Sequence, residues 1–153
     1  VAAARAGKLL QIGAGKNRVD ITYIDNAARA HLLAADELMG QGRNAGNVYF
    51  IGDAEAVALW DWINTLLRRL DVPPVSRAIS YRGACCLGAA LELVHGLVPG
   101  LGEPRLTRFT AAQLARSHWF SHARAQADFG YAPEVDNATG MDRLVEWLRT
   151  RPV

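Results

Sequence analysis

The chain is poor in lysine and cysteine, carries little excess charge, and lacks the motifs that would let it run chemistry unaided. Lysine occurs only at Lys8 and Lys16, against 15 arginines. The arginines are scattered and not gathered in a patch, a bias of the kind a GC-rich bacterial genome produces. The two cysteines, Cys85 and Cys86, are adjacent. Neighbouring cysteines rarely meet disulfide geometry, so no disulfide framework is implied and a reducing cytoplasm is the expected setting. A formal charge of +2 over 153 residues implies neither a nucleic-acid nor a membrane-surface partner. No signal peptide is visible. The opening Val1-Ala2-Ala3-Ala4-Arg5-Ala6-Gly7 reads as the tail of a helix, so a fragment or processed piece is expected.

Catalytic and ligand motifs are scarce too. Gly13-Ala14-Gly15-Lys16 suggests a phosphate loop, but position 10 is Leu and Asn17 follows the lysine, so the spacing fails. The dinucleotide fingerprint fails because Arg18 stands where a third glycine is needed. Gly40-Gln41-Gly42 lacks its third glycine and follows a helix, so both glycine pairs read as turns. His118 and His122 have a metal-ligand spacing, yet Ser121 between them reads as a helix start and no further ligand completes a set. No Gly-x-Ser-x-Gly elbow is present. Cys86 lies in an apolar run without a flanking base, which reads as core. Four residues after Tyr23, Tyr49, Tyr81 and Tyr131 stand Ala27, Asp53, Cys85 and Val135. None is the lysine that a reductase tyrosine requires.

What is present is ordinary for one globular domain: half the residues are hydrophobic and 21% are charged. Alternation marks residues 19–24 as a strand, and Asp25-Asn26 can cap an Ala- and Leu-rich helix over 27–38. Residues 47–51 read as a short buried strand closed by Gly52-Asp53. Leu59, Trp62, Ile63, Leu66, Leu67 and Leu70 share one helical face, and Pro73-Pro74 stop that helix. Residues 77–81 form a candidate strand. The most apolar stretch, 83–101, is interrupted by Glu92 and His95 and ended by Pro99-Gly100. It falls short of the ~20 consecutive apolar residues of a spanning helix, so a buried helix or an apolar lid is expected. A short helix follows over 110–117. Trp119-Phe120 look extended, and Ser121 caps a helix over 123–129 that Gly130 stops. Asn137 or Thr139 starts a last helix with Met141, Leu144, Val145 and Leu148 on its apolar face. This alternation of strands and helices argues for α/β.

Four segments then carry a resemblance. Gly13-x-Gly15-x-Asn17-x-Val19-Asp20-Ile21-Thr22-Tyr23-Ile24-Asp25-Asn26, with an Ala-rich helix bearing His31, resembles the extended short-chain dehydrogenases. It is closest to their 3β-hydroxysteroid and sterol dehydrogenase branch. Asn47 to Asp53 is similar to that family's late strand of the nucleotide-binding sheet. Trp119-Phe120-Ser121-x-Ala123-Arg124-Ala125 and Phe129-Gly130-Tyr131-x-Pro133 are similar to its tail.

The resemblance implies the carboxyl-terminal, substrate-binding part of a Rossmann-type fold, mostly helical with a few short strands, over 1–153. The amino-terminal Rossmann half would lie elsewhere. It implies an NAD(P)-dependent parent enzyme interconverting a 3-hydroxy and a 3-keto group on a sterol or a long-chain 2-alkyl-3-oxo acid. NAD or NADP would be bound by the parent and not by this chain alone. No catalytic, cofactor-binding or metal residue is expected here. Tyr81, Arg105 and Arg108 are the expected substrate contacts, the arginines for a carboxylate. Val19 stands where nucleotide-sugar epimerases often place an arginine, which favours an apolar substrate. A nucleotide-sugar epimerase or dehydratase fragment and a non-catalytic lipid-binding module are the alternatives. Expected partners are an apolar small molecule, the other half, a peripheral membrane contact through 83–101, and a second copy in a homodimer. An edge left unpaired at 48–51 would be liable to aggregate or dimerise.

Overall fold

The computed structural model describes residues 1–98 and 100–150, and the chain divides into two compact units. Among these residues, the first joins 1–18 to 58–118, and the second joins 19–57 to 119–150.

In the first unit, α1 (Ala2–Arg5) leads to β1 (Gln11–Ile12), which pairs in parallel with β4 (Ala78–Ile79) in the register Ile12 to Ile79. Three helices pack around this pair: α3 (Leu59–Arg69), α4 (Tyr81–Leu97) and α5 (Arg108–Ala115). Their core is Ile12, Trp60, Ala84 and Ala111. Leu66 and Leu67 are buried as the helical face requires, and so is Trp60, which that face had omitted. α3 stops at Arg69, ahead of Pro73 and Pro74.

Small residues let α4 and α5 meet closely. A side-chain carbon on Gly88 would stand 2.8 Å from the backbone of Thr107 and Arg108. The candidate strand at 77–81 is only two residues long, because the Ser80 hydroxyl accepts from the Gly83 N–H and starts α4 at Tyr81. The apolar stretch is a helix, but only Ala84 and Gly88 are buried within α4; Leu87, Leu93, Val94 and Leu97 face solvent. Of its expected stop, Pro99 lies outside the described residues.

The strands β2 (Arg18–Val19) and β3 (Val57–Ala58), where the chain passes from one unit to the other, pair with each other.

The second unit contains α2 (Ile24–Met39), α6 (Ala123–Phe129) and α7 (Asn137–Thr150). The strand expected over 19–24 ends at Val19, and residues 47–51 join no ladder. The two segments still run together, since Asp53 N–H donates to the Ile21 carbonyl at 3.0 Å and the Thr22 hydroxyl to the Ile51 carbonyl at 3.3 Å. Other backbone groups there go to side chains: Tyr23 N–H to the Asp53 carboxylate, and Phe120 N–H to Asp20 at 2.6 Å.

Asp25-Asn26 does not cap α2, which starts one residue before the pair. Asn26 is instead buried inside the first turn, 1% exposed, with a full set of hydrogen bonds. Its amide donates to Asp53 at 2.7 Å and to the Val135 carbonyl at 2.8 Å. Its oxygen accepts from the Glu134 and Val135 N–H groups, each at 3.0 Å. Gly130, in the left-handed region at φ 70°, ends α6 as expected. Asp136 accepts from Thr139 N–H at the start of α7, and Met141, Val145 and Leu148 are buried along it.

Candidate functional site

In the first unit, two parallel strands end side by side, and three segments converge beyond their carboxyl ends. Open α/β sheets place ligands at such ends.

The first segment is the turn Gly13-Ala14-Gly15, whose two glycines both have φ 76°. Gly13 N–H donates to the Ile79 carbonyl at 2.9 Å, which holds the turn against β4. The second is the start of α4, where Ser80 and Tyr81 follow directly from β4. The third is the end of α5. Ala115 lies 3.4 Å from where a side-chain carbon on Gly13 would stand. The buried Trp60 indole donates to the Leu114 carbonyl at 3.1 Å. Asn17, also buried, donates to the Arg116 carbonyl at 3.5 Å. A cleft of about 220 Å³ opens instead near the amino ends of the same strands, lined by Leu9, Pro73, Pro74 and Arg77 among others; it contains none of the convergent side chains.

Tyr81 is half-buried at the first position of α4. The Arg116 guanidinium lies over its ring, 4.9 Å from the centroid. Interaction with the Cys85 thiol, one turn along α4, and loss of hydration raise the Tyr81 phenol above its ordinary pKa, while the Arg116 charge pulls it down. The phenol is therefore a hydrogen-bond donor at neutral pH, not a phenolate.

Arg108, at the first position of α5, donates through its backbone N–H and its Nε to the two Glu92 oxygens, at 2.7 and 2.8 Å. Those bonds hold the Glu92 carboxyl below the usual carboxylate range. Arg105 is exposed on the loop between α4 and α5 and takes part in no ion pair among the described residues. The expected contacts are thus dispersed: Tyr81 sits at the strand ends, Arg108 is engaged elsewhere, and Arg105 stands on a loop.

Arg116 was not singled out from sequence, and Asn17 stood there only as one position of the segment that carries the resemblance. The sequence carries no sign of the place of Arg116, because that place depends on α4 and α5 running antiparallel. Arg108 and Glu92 meet at one end of that pair, and Arg116 and Tyr81 at the other.

The glycine turn does not fit a dinucleotide. A side-chain carbon at Gly15 would stand 2.6 Å from the Gln11 amide nitrogen, so that side chain already fills the hollow of the turn. The turn also runs into β2, not into a helix whose N-terminus could meet a pyrophosphate.

A family model described as the 3-beta hydroxysteroid dehydrogenase/isomerase family matches residues 1–80. The chain belongs to this family. A 2-alkyl-3-oxoalkanoate reductase of Stenotrophomonas maltophilia is 45% identical over 92% of the chain and 43% of its own length. A mouse enzyme named sterol-4-alpha-carboxylate 3-dehydrogenase, decarboxylating, is 31% identical over 94% of the chain and 41% of its own length. The chain therefore spans about two fifths of these family members. A crystal structure of UDP-glucuronic acid 4-epimerase from Bacillus cereus in complex with NAD superimposes with a TM-score of 0.60. It is 18% identical and covers 98% of this chain and 39% of that one. The fold is accordingly that of a 3-beta hydroxysteroid dehydrogenase-type, extended short-chain dehydrogenase: α/β of Rossmann type, here mostly helical with short strands. Among the described residues of this family member, no helix is long and apolar enough to cross a membrane.

Proposed function

We propose that this chain is the carboxyl-terminal, substrate-binding part of an NAD(P)-dependent oxidoreductase interconverting a 3-hydroxy and a 3-keto group on an apolar substrate. The substrate is a long-chain 2-alkyl-3-oxo acid or a sterol. The observation that carries the reading is 45% identity to a 2-alkyl-3-oxoalkanoate reductase along 92% of the chain.

The cofactor, NAD or NADP, and the acid/base pair belong to an amino-terminal half that this sequence does not include. The filled glycine turn supports that division. So do the exposed Val48 and Phe50, which have the character of a strand meant for a sheet and yet pair with nothing in a ladder here.

This part encloses and orients the substrate. Tyr81 contributes a donor at the carboxyl ends of the strands. The exposed apolar side chains of α4 offer the alkyl or steroid body a surface, at ~25 cal/mol per Å² buried. The same side chains would serve a peripheral lipid contact through 83–101 or a homodimer. The free thiols of Cys85 and Cys86 suit the cytoplasm. The nucleotide-sugar alternative draws on likeness of fold alone, and the buried, apolar Val19 speaks against a diphosphate there.

The test is an assay of the complete enzyme for NADH and NADPH oxidation with a long-chain 2-alkyl-3-oxo acid, beside UDP-sugars as competing substrates. Reductant consumption that depends on the 3-oxo acid is the expected result. Epimerisation of a UDP-sugar, or no turnover of any 3-oxo compound, would overturn the reading.

A further inference from the structure

The two ends of the α4–α5 pair each carry an arginine, and they differ in what neutralises them. Arg108 is held by both oxygens of Glu92. Arg116 has no carboxylate partner among the described residues; its exposed side chain lies over the Tyr81 ring and also interacts with the Tyr81 hydroxyl. With five N–H donors, a guanidinium oriented in this way still has donors left for a ligand. The main chain behind Arg116 is fixed as well. Asn17 bonds its carbonyl, the Ser117 hydroxyl accepts from Arg18 N–H at 3.0 Å, and His118 N–H donates to the Arg18 carbonyl at 2.9 Å. A fork that is oriented, anchored and without a counter-charge suits a bidentate carboxylate.

The surrounding charge points the same way. Segments 1–18 and 58–118 hold 11 Arg and Lys against four Asp and Glu. The small net charge of the whole chain hides a strongly basic unit, whose field draws anions toward it.

The names of both relatives describe acids in which the carboxylate is borne on the carbon next to C3. One cation close to the reacting carbon would serve either. Resting on the function proposed above, we infer that Arg116 is the specificity-determining residue that binds the carboxylate of a 3-oxo or 3-hydroxy acid, with Tyr81 as its orienting platform. Arg105 and Arg108 do not fill that role.

The experiment compares the complete enzyme with its Arg116→Gln, Arg116→Lys, Arg105→Gln and Arg82→Gln variants. The substrates are a long-chain 3-hydroxy acid and its methyl ester, oxidised with NAD(P). Arg116→Gln is expected to raise KM for the acid about 10- to 100-fold, the size of a charge-assisted pair, with kcat for the acid within about twofold. KM for the ester should not change, and Arg116→Lys should recover part of the loss. Arg82→Gln removes an exposed charge beside Tyr81 and controls for the general field. An acid-over-ester preference that survives Arg116→Gln, or that falls instead in Arg105→Gln or Arg82→Gln, overturns the assignment. If the wild type oxidises neither compound, the reductase reading falls, and calorimetric titration with 3-hydroxydodecanoate still decides Arg116. Binding lost in Arg116→Gln supports it; binding equal in both, or absent from both, overturns it.

Discussion

The two units are built on opposite principles. The first is basic, and its α4 and α5 meet through glycine and alanine. The second holds 11 acidic side chains against five basic ones among its described residues and is organised around one buried asparagine. Close contact between small residues is tolerant of sequence so long as nothing larger intrudes. A buried polar network stabilises only while every member is satisfied. The difference places the open, ligand-seeking charge in the unit whose interior makes few demands on charge.

The sharpest way to break the comparison is Asn26→Leu. It leaves the buried Asp53 carboxylate with Tyr23 N–H as its donor among the described residues and strips the Glu134 and Val135 N–H groups of their acceptor. The expected cost is about 3–5 kcal/mol, the sum of several buried polar groups left without partners, measured by urea denaturation. A loss below about 1 kcal/mol would show that water replaces the network, and the contrast between the units would dissolve.

Gly88→Val should come second. Its first added carbon would meet main-chain atoms of Thr107 and Arg108, which cannot swing aside as a side chain can. About 1–3 kcal/mol is expected from overpacking, offset only slightly because valine is a better helix former than glycine. Gly96 on the same helix meets nothing within 4 Å, so Gly96→Ala should be neutral or slightly stabilising. A loss at Gly88 no larger than the change at Gly96 would show that the approach of α5 does not set the cost.

How much of this was legible in the sequence differs between the units for a physical reason. Helices declare themselves by periodicity: the faces of α3 and α7 and the Gly130 stop were all readable. The strands were overread. Residues 19–24 and 47–51 have strand composition, but a ladder needs a partner, and composition does not say whether one is present. Asn26 shows a second limit. An Asp-Asn pair before an Ala-rich run looks like a cap, because capping is the local use of such residues. Its actual partners, Asp53 and Val135, are 27 and 109 residues away. Arg116 was hidden in the same manner: nothing in its neighbourhood separates it from Arg105 or Arg108 until α4 and α5 are set antiparallel.

The smallest expected effect concerns Glu92, the tie at the far end of the first unit's helix pair from Arg116. Its carboxyl lies below the ordinary range chiefly because the Arg108 backbone N–H donates to it, and secondarily because of the guanidinium, while loss of hydration opposes both. A carboxyl lowered by folding adds stability that is fully present above its unfolded pKa and is lost as the pH falls through its folded one. The wild type should therefore exceed Glu92→Gln in stability at neutral pH, and the gap should narrow on acidification below about pH 5. Thermal melts of both proteins between neutrality and the acid limb would read the gap directly. No gap at any pH would mean that the Arg108 N–H alone holds α5 in place, since glutamine offers the same acceptor without the charge. In that case, the ion pair at this end of the helix pair would be incidental, and Arg108 would be as unneutralised in effect as Arg116.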